Sequence, residues 1–273
     1  MNIYNNFGFG NSAERIKNME RVIFVNMTKT KYALDIKDSI DRTKVYDSSA
    51  LIYPERGSLQ TEFVFEQTDS VSAVFKYADK NTAILNFANF TTPGGGFIYG
   101  AMAQEEALCL ESTLYPVISD RKLESYYFAN KRALSSVGCL YSNRALYSPG
   151  IVFFRDEEGE EKRCDVITCA APNASEYLAA GGSQKMNGNA LLDRMTFILD
   201  IAVKNGVKTL ILGAFGCGVF GQNPETLGAL YNYLLTDKYK GAFERVVFAV
   251  IDEKTLRPLE SGFCSRYEAF ICQ

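Results

Sequence analysis

Hydrophobic and polar positions follow two periods that alternate along most of the chain. Short apolar runs, typical of buried strands, occur at 62–67 (EFVFEQ), 82–89 (TAILNFAN), 207–215 (VKTLILGAF) and 245–252 (RVVFAVID). Apolar positions 191, 192, 195, 198, 199 and 202 recur at helical spacing and predict a helix over 188–206. Strands that alternate with amphipathic helices predict an α/β fold, a largely parallel sheet with helices on both faces.

Further elements complete this prediction. Helices are expected over 104–118, 120–135 and 224–235, and another from about residue 70, with Thr68, Asp69 or Ser70 as its N-cap. The stretch 150–173 predicts two strands joined by the acidic turn DEEGEE. The first sixty residues read as short helices, for example over 12–25 and 33–46. We therefore expect an N-terminal helical extension (1–60) packed on an α/β domain (61–273).

The amino-acid composition excludes several kinds of catalytic and metal-binding site. The chain has no histidine, which excludes Ser-His-Asp and Cys-His catalysis and every histidine-ligated metal site. Acid–base chemistry would then use carboxylates, lysine, tyrosine or cysteine, while magnesium held by carboxylates stays open. A net charge of -3 argues against direct DNA binding.

Seven scattered cysteines without a CxxC pair point to reduced thiols. The N-terminus lacks the apolar segment of a signal peptide, and no apolar run is long enough to span a membrane. These features together predict a cytoplasmic protein.

Two glycine-rich stretches follow predicted strands. Thr91–Glu106 (TTPGGGFIYGAMAQEE) comes after the strand at 82–89, and LGAFGCGVFGQNP (212–224) contains the end of the strand at 207–215. Ligands of such sheets bind beyond the carboxyl ends of the strands, so both stretches point to one shared site. Gly216–Gly221 matches G-x-G-x-x-G, but it lies late in the chain, and no strand follows to carry the acidic residue of a dinucleotide site. A loop whose backbone N–H groups wrap phosphate is the better interpretation.

Glu105 and Glu106 begin the predicted helix at 104–118. Acidic residues in a first turn can simply complement the helix dipole. Neighbouring helical residues point about 100° apart, so this pair cannot flank a glycosidic bond from opposite sides. The two can divide the work, one gripping sugar hydroxyls and the other facing the glycosidic oxygen. A general acid needs a raised pKa, and burial and the neighbouring carboxylate must then outweigh the helix N-terminus.

The combination resembles a known family. PGGGFIYGAMAQEE, the strand before it, CAAPN (Cys169–Asn173) and LGAFGCGVFG together look like the microbial-type poly(ADP-ribose) glycohydrolases, which are built on a macrodomain. The resemblance covers roughly residues 60–252. It implies a macrodomain-like mixed sheet with an ADP-ribose pocket at its carboxyl edge. Glu106 would be the acid acting on the ribose–ribose bond, and Glu105 would orient the distal ribose hydroxyls.

The resemblance also implies a binding set and no cofactor or metal. Asn86 and Asn89 would hold the distal ribose, the glycine triplet would pack against it, and the second loop would wrap the diphosphate, with an exposed Phe220 against a ribose or the adenine. The implied substrate-binding residues are Asn86, Asn89, Gly94, Gly95, Gly96, Gln104, Gly213, Ala214, Phe215, Gly216, Cys217, Gly218, Val219, Phe220, Gly221 and Asn223. Phe215 is expected to be exposed as well, and Thr68 and Asp69 are candidates for adenine contacts.

The function that follows is hydrolysis of poly(ADP-ribose), from the chain end, with release of ADP-ribose. One alternative is release of single ADP-ribose units from a protein or nucleic-acid adduct. Another is an ADP-ribose reader without turnover, against which the intact Gln104-Glu105-Glu106 argues, since a reader needs no acid. A nucleotide-dependent dehydrogenase is the weakest reading. The expected partners are poly(ADP-ribose) or ADP-ribosylated proteins as substrate and ADP-ribose as product, with no membrane.

Overall fold

A mixed seven-stranded sheet forms the centre of the protein in a computed structural model. The structure describes residues 29–47, 57–155 and 159–265, together with positions 16, 19, 20 and 23. The strands are β1 (Lys44–Asp47), β2 (Glu62–Gln67), β3 (Thr82–Phe87), β4 (Arg144–Phe154), β5 (Glu161–Cys169), β6 (Thr209–Leu212) and β7 (Arg245–Val250). They lie in the order β1-β4-β5-β3-β6-β7-β2. The pairs from β5 to β2 are parallel, and β1-β4 and β4-β5 are antiparallel, which confirms the largely parallel α/β prediction.

Helices cover both faces of this sheet. Those in the described residues are α1 (Ala33–Arg42), α2 (Ser70–Tyr77), α3 (Gln104–Leu110), α4 (Leu114–Ile118), α5 (Glu124–Val137), α6 (Ala174–Ala179), α7 (Gln184–Lys204), α8 (Pro224–Tyr233) and α9 (Glu253–Cys264). Alternate strand residues serve opposite faces: Ala83 and Leu85 join the core under α7, α8 and α9, whereas Ile84 joins the core under α2 to α5. None of the described helices has the length and apolar content needed to cross a membrane.

The predicted single helix over 104–118 is instead two helices. Ser112 interrupts it, because its hydroxyl donates to Leu108 O (2.6 Å) and accepts from Leu114 N (3.0 Å). Ser112 also forms an isolated antiparallel bridge with Phe153 of β4. The break therefore depends on a partner distant in sequence, and side-chain competition with the helix backbone makes serine suited to it.

The predicted helix over 33–46 ends at Arg42, and the next residues form β1 at the edge of the sheet. Lys44 pairs with Tyr147 of β4, and Tyr46 is buried while its neighbour Val45 is exposed. The alternation of a strand is thus present, but over only 4 residues. Of the helix predicted over 12–25, only positions 16, 19, 20 and 23 are described, and all four are helical. Half of the acidic turn lies outside the described residues, and the boundary at residue 60 stays a prediction.

The topology brings four segments to one edge of the sheet. Strands β3, β5 and β6 are mutually parallel neighbours, so the loops that follow them emerge together. Strand β4 runs the other way, with Ala145 opposite Cys169, so the segment before β4 begins at the same edge. The two glycine-rich loops, CAAPN and residues 138–143 therefore meet there.

Candidate active site

Gln104 fastens the start of α3 to the end of β3. Its Oε1 accepts from Phe87 N (2.8 Å), and its Nε2 donates to Leu85 O (2.9 Å) and Ser70 Oγ (3.1 Å). Both amide N–H groups and one lone pair of the oxygen are thus bonded to protein groups. This attachment holds the first turn of α3 against the sheet edge, which buries the two glutamates that follow.

Glu105 is a buried carboxyl surrounded by donors. Its Oε2 accepts from Asn89 N (2.7 Å) and its Oε1 from Asn86 Nδ2 (3.2 Å). Burial raises the pKa of Glu105 to about 8, and the charge of Glu106 adds to this, while the hydrogen bonds from Asn89, Asn86 and Gly94 oppose it. The donors hold this carboxyl in one orientation.

Glu106 is as buried as Glu105, but only one of its two carboxyl oxygens accepts a hydrogen bond. Its Oε1 accepts from Gly96 N (2.7 Å), whereas its Oε2 is buried with no hydrogen-bond partner among the described residues. Burial raises the pKa of Glu106 above its ordinary value, and backbone N–H groups at the glycine loop and helix start lower it. Burial is the larger effect, so a glutamate at this helix N-terminus can retain a proton.

Gly95 explains why the triplet precedes the glutamates. A Cβ at this position would lie 2.5 Å from Glu106 Oε1 and 3.1 Å from Glu105 Oε2, and its φ is +56°. Both carboxyls therefore converge on the Gly95 backbone, where only glycine fits. Beside it, a Cβ on Gly94 would lie 2.6 Å from the ring of Tyr115.

The two asparagines hold different parts of the site. Asn86, at the buried end of β3, has an Oδ1 that is also buried without a partner in the described residues. The Asn89 Oδ1 accepts from Thr91 N and Thr92 N, both at 3.0 Å, and so shapes the start of the glycine loop. Both residues touch Glu105, one through its side chain and the other through its backbone.

The second glycine loop lies beside the first. Gly218 and Val219 are exposed, Ala214, Gly216, Cys217 and Phe220 are partly exposed, and Gly213 is buried close to Ala249 O. Phe215 is completely buried and packs its ring against Phe87 at 5.5 Å, so the expectation that it is exposed is wrong. Its side chain belongs to the apolar core under α7, α8 and α9, which the loop sequence does not reveal.

The end of this loop is held by side chains. Gln222 is buried, donates to Pro172 O (2.9 Å) and pairs with the Asn187 amide (3.0 Å). Asn223 accepts from Thr226 N (2.9 Å) as the N-cap of α8. Gly221 lies against Ser175, and Ser175 N donates to Phe220 O (3.0 Å). The loop is therefore rigidly tied to CAAPN and α6.

Residues 138–143 complete this edge of the sheet, although no motif marks them. Tyr141 stacks on Phe90 with ring centroids 4.5 Å apart and lies 6.1 Å from Phe220. Only the antiparallel return of β4 brings this tyrosine to the two loops.

Two further predictions concern the residues that contact adenine and the absence of a metal. Asp69 is the N-cap of α2, with its Oδ1 accepting from Ser72 N (2.8 Å), while Thr68 N donates to Val250 O (3.1 Å). An adenine contact by either residue stays a prediction. In the described part of the chain, no group of three or more cysteine, aspartate or glutamate side chains is arranged to hold a metal ion.

A mixed α/β sheet with two glycine-rich loops and buried carboxyls at its carboxyl edge defines a macrodomain-type fold equipped for acid–base chemistry. The family model described as microbial-type PARG, catalytic domain, matches residues 12–156. The chain belongs to this family of poly(ADP-ribose) glycohydrolases, which are glycosidases. No curated protein sequence matches.

Solved structures agree with this assignment. The enzyme from Thermomonospora curvata is 28% identical with a TM-score of 0.79, covering 91% of this chain and 100% of that one. The same organism's enzyme bound to the inhibitor ADP-HPD is 29% identical with a TM-score of 0.78, covering 90% and 98%. The enzyme from Deinococcus radiodurans in complex with ADP-ribose is 32% identical with a TM-score of 0.72, covering 84% and 97%.

Proposed function

We propose that this chain hydrolyses the ribose–ribose O-glycosidic bond of poly(ADP-ribose), from the chain end, with Glu106 as the general acid. The observation that carries the assignment of Glu106 is its asymmetry: one carboxyl oxygen is held by Gly96 N, and the other is buried without a partner in the described residues. A buried carboxyl oxygen without a partner is most costly when it is charged, and a proton on it together with a ligand acceptor removes that cost. It is therefore the atom suited to donate a proton.

The chemistry then divides between the two glutamates. Glu106 Oε2 gives its proton to the leaving ribose oxygen as the bond between that oxygen and the anomeric carbon breaks. Water adds to the oxocarbenium-like carbon and loses a proton to the Glu106 carboxylate, which restores the acid. Glu105, held by Asn86 and Asn89, orients the distal ribose hydroxyls. The glycine triplet packs against that ribose, and the loop Gly213–Gly221 wraps the diphosphate with backbone N–H groups.

The test is Glu106→Gln, which preserves shape and removes the acid. We expect release of ADP-ribose from poly(ADP-ribose) to fall by about 1,000-fold, the middle of the range for loss of a general acid, with the Kd for ADP-ribose nearly unchanged. Glu253→Gln is the matched control, since this exposed glutamate also lies in the first turn of a helix. Full turnover by the Glu106 variant would rule out this assignment.

The same purified protein also tests the two alternative functions, release of single ADP-ribose units and binding without turnover. ADP-ribosylated protein, or an ADP-ribosylated nucleic acid, offered in place of the polymer reports release of single units from an adduct. Binding of ADP-ribose without turnover of any substrate would identify a reader. A cytoplasmic location and the absence of direct DNA binding stay predictions.

A further inference from the structure

Tyr141 has a backbone conformation that side chains rarely adopt. Its φ is 58° and its ψ is 170°, a region that is essentially restricted to glycine. Asn81 is the other non-glycine residue with positive φ in the described part of the chain, and asparagine tolerates this readily. A tyrosine in this region is strained, so compensating contacts must hold it.

Aromatic contacts hold the Tyr141 ring between the two glycine-rich loops. The ring stacks on Phe90, 4.5 Å away at 10°, and Phe90 immediately precedes the glutamate-bearing loop. The ring also meets Phe220 of the second loop at 6.1 Å and 62°, an edge-to-face arrangement. One ring thus contacts both the residue just before the first glycine-rich loop and an aromatic side chain of the second.

Hydrogen bonds from Arg194 and Asn173 fix the backbone around Tyr141. Arg194 is completely buried and donates to Asn143 Oδ1 (2.6 Å), Leu140 O (3.3 Å) and Ala170 O. Asn173 N donates to Cys139 O (2.8 Å). These bonds hold the carbonyls of the two residues before Tyr141 and the side chain of Asn143 after it, so the segment cannot rotate to an unstrained conformation without breaking buried hydrogen bonds.

We propose that Tyr141 is a positioning residue, whose ring sets the separation between the glutamate loop and Phe220 so that both contact the same ADP-ribose unit. The inference rests on the proposed function of this site and adds a residue that belongs to neither loop. The ring supplies rigid contact area, and its loss would let the Phe220 ring turn away from the ribose while the Phe220 backbone stays bonded to Ser175 N. The strain is retained because a ring is needed at a position where the backbone favours glycine.

Three variants separate ring, hydroxyl and backbone. We expect Tyr141→Ala and Tyr141→Gly to raise the Kd for ADP-ribose about tenfold, the size of effect that an aromatic pair provides. Tyr141→Phe, which keeps the ring, is expected to stay within about threefold of the wild type. Tyr141→Gly should resist urea better than Tyr141→Ala, since glycine relieves the strained backbone. Binding is measured by calorimetry and stability by urea unfolding.

Asn81→Gly and Asn81→Ala are the matched controls, because Asn81 has positive φ but lies before β3, at the opposite edge of the sheet. They should follow the same order of stability without any change in Kd. Tyr141→Ala and Tyr141→Gly that bind like the wild type would overturn the inference, as would a Tyr141→Phe variant that binds as weakly as they do. An increase in Kd only in the less stable Tyr141→Ala would also overturn it.

The two proposals fail separately. Wild-type protein that binds ADP-ribose but releases none from poly(ADP-ribose) contradicts the hydrolase, while the Kd series still decides the role of Tyr141. Turnover by the wild type with unchanged Kd in the Tyr141 variants contradicts only the inference.

Discussion

At the scale of single residues, Gly95 is the tightest point of contact with the glutamates. Any Cβ there would lie 2.5 Å from Glu106 Oε1, closer than non-bonded atoms approach. Gly95→Ala must therefore displace the Glu106 carboxyl. We expect kcat for ADP-ribose release to fall about 100-fold, the cost of a displacement of about 1 Å at a catalytic group. Steady-state kinetics on poly(ADP-ribose) measures it.

Gly206→Ala is the control for this substitution. Gly206 also has a positive φ, +73°, but no atom lies within 4 Å of an added Cβ, so this variant has the backbone strain without the steric clash. Its kcat should equal that of the wild type. Equal losses in both variants would mean that strain, and not the carboxyl, accounts for the effect.

Glu105 makes the stability of the protein depend on pH. Its pKa rises from 4.5 to about 8 on folding, so between these values the folded state binds more protons than the unfolded state, and stability falls as pH rises. Glu105→Gln removes this titration. We expect the variant to gain at least about 1.4 kcal/mol relative to the wild type between pH 5 and pH 8, the equivalent of one pKa unit. Urea unfolding at both pH values measures this, and a parallel pH dependence in the two proteins would contradict it.

The sequence pattern could predict the glycine triplet and the two glutamates as site residues, because they lie in one short segment after a buried strand. Phe215 and Tyr141 could not be placed in this way. Phe215 is buried by Phe87 of β3, and Tyr141 reaches the site through the antiparallel pairing of β4 with β5. Both depend on contacts between segments far apart in the chain.

At the scale of elements, the second glycine-rich loop is tightly packed at Gly221, while its backbone at Gly218 is unobstructed. A Cβ on Gly221 would lie 2.2 Å from Ser175 Oγ, whereas one on Gly218 would meet nothing within 4 Å. Gly218→Ala should therefore leave the fold unchanged but obstruct a diphosphate that approaches the backbone. We expect an unchanged Tm and a Kd for ADP-ribose raised about tenfold, equivalent to about 1.4 kcal/mol.

Gly188→Ala on α7 is the matched control for the loop, since an added Cβ there is equally unobstructed. It should leave the Kd unchanged. Wild-type affinity in Gly218→Ala would mean that the diphosphate does not approach this part of the loop.

At the scale of the whole molecule, the sheet includes a strand that the periodicity assigned to a helix. Strands β3, β6 and β7 lie in continuous apolar runs, and helices α7 and α8 repeat their apolar positions over several turns, so the sequence pattern reveals them. Strand β1 is as short as β6 but has a single buried residue and follows α1 directly, and its pairing with β4 decides its conformation. Local sequence cannot contain that information.

This pairing bears on the predicted division at residue 60. Without residues 1–60, β4 loses β1, one of its two antiparallel partners, its outer edge is exposed to solvent, and the buried ring of Tyr46 is removed from the core. We expect the fragment 61–273 to unfold at least about 5 °C below the full chain, corresponding to a loss of a few kcal/mol in a domain of this size. Thermal unfolding of the fragment, the full chain and full-length Tyr46→Ala compares the loss of the whole segment, which includes α1 and β1, with the loss of the Tyr46 ring alone. Equal Tm values for the fragment and the full chain would show that 61–273 is stable without β1, because neither the exposed edge of β4 nor the lost ring then lowers stability.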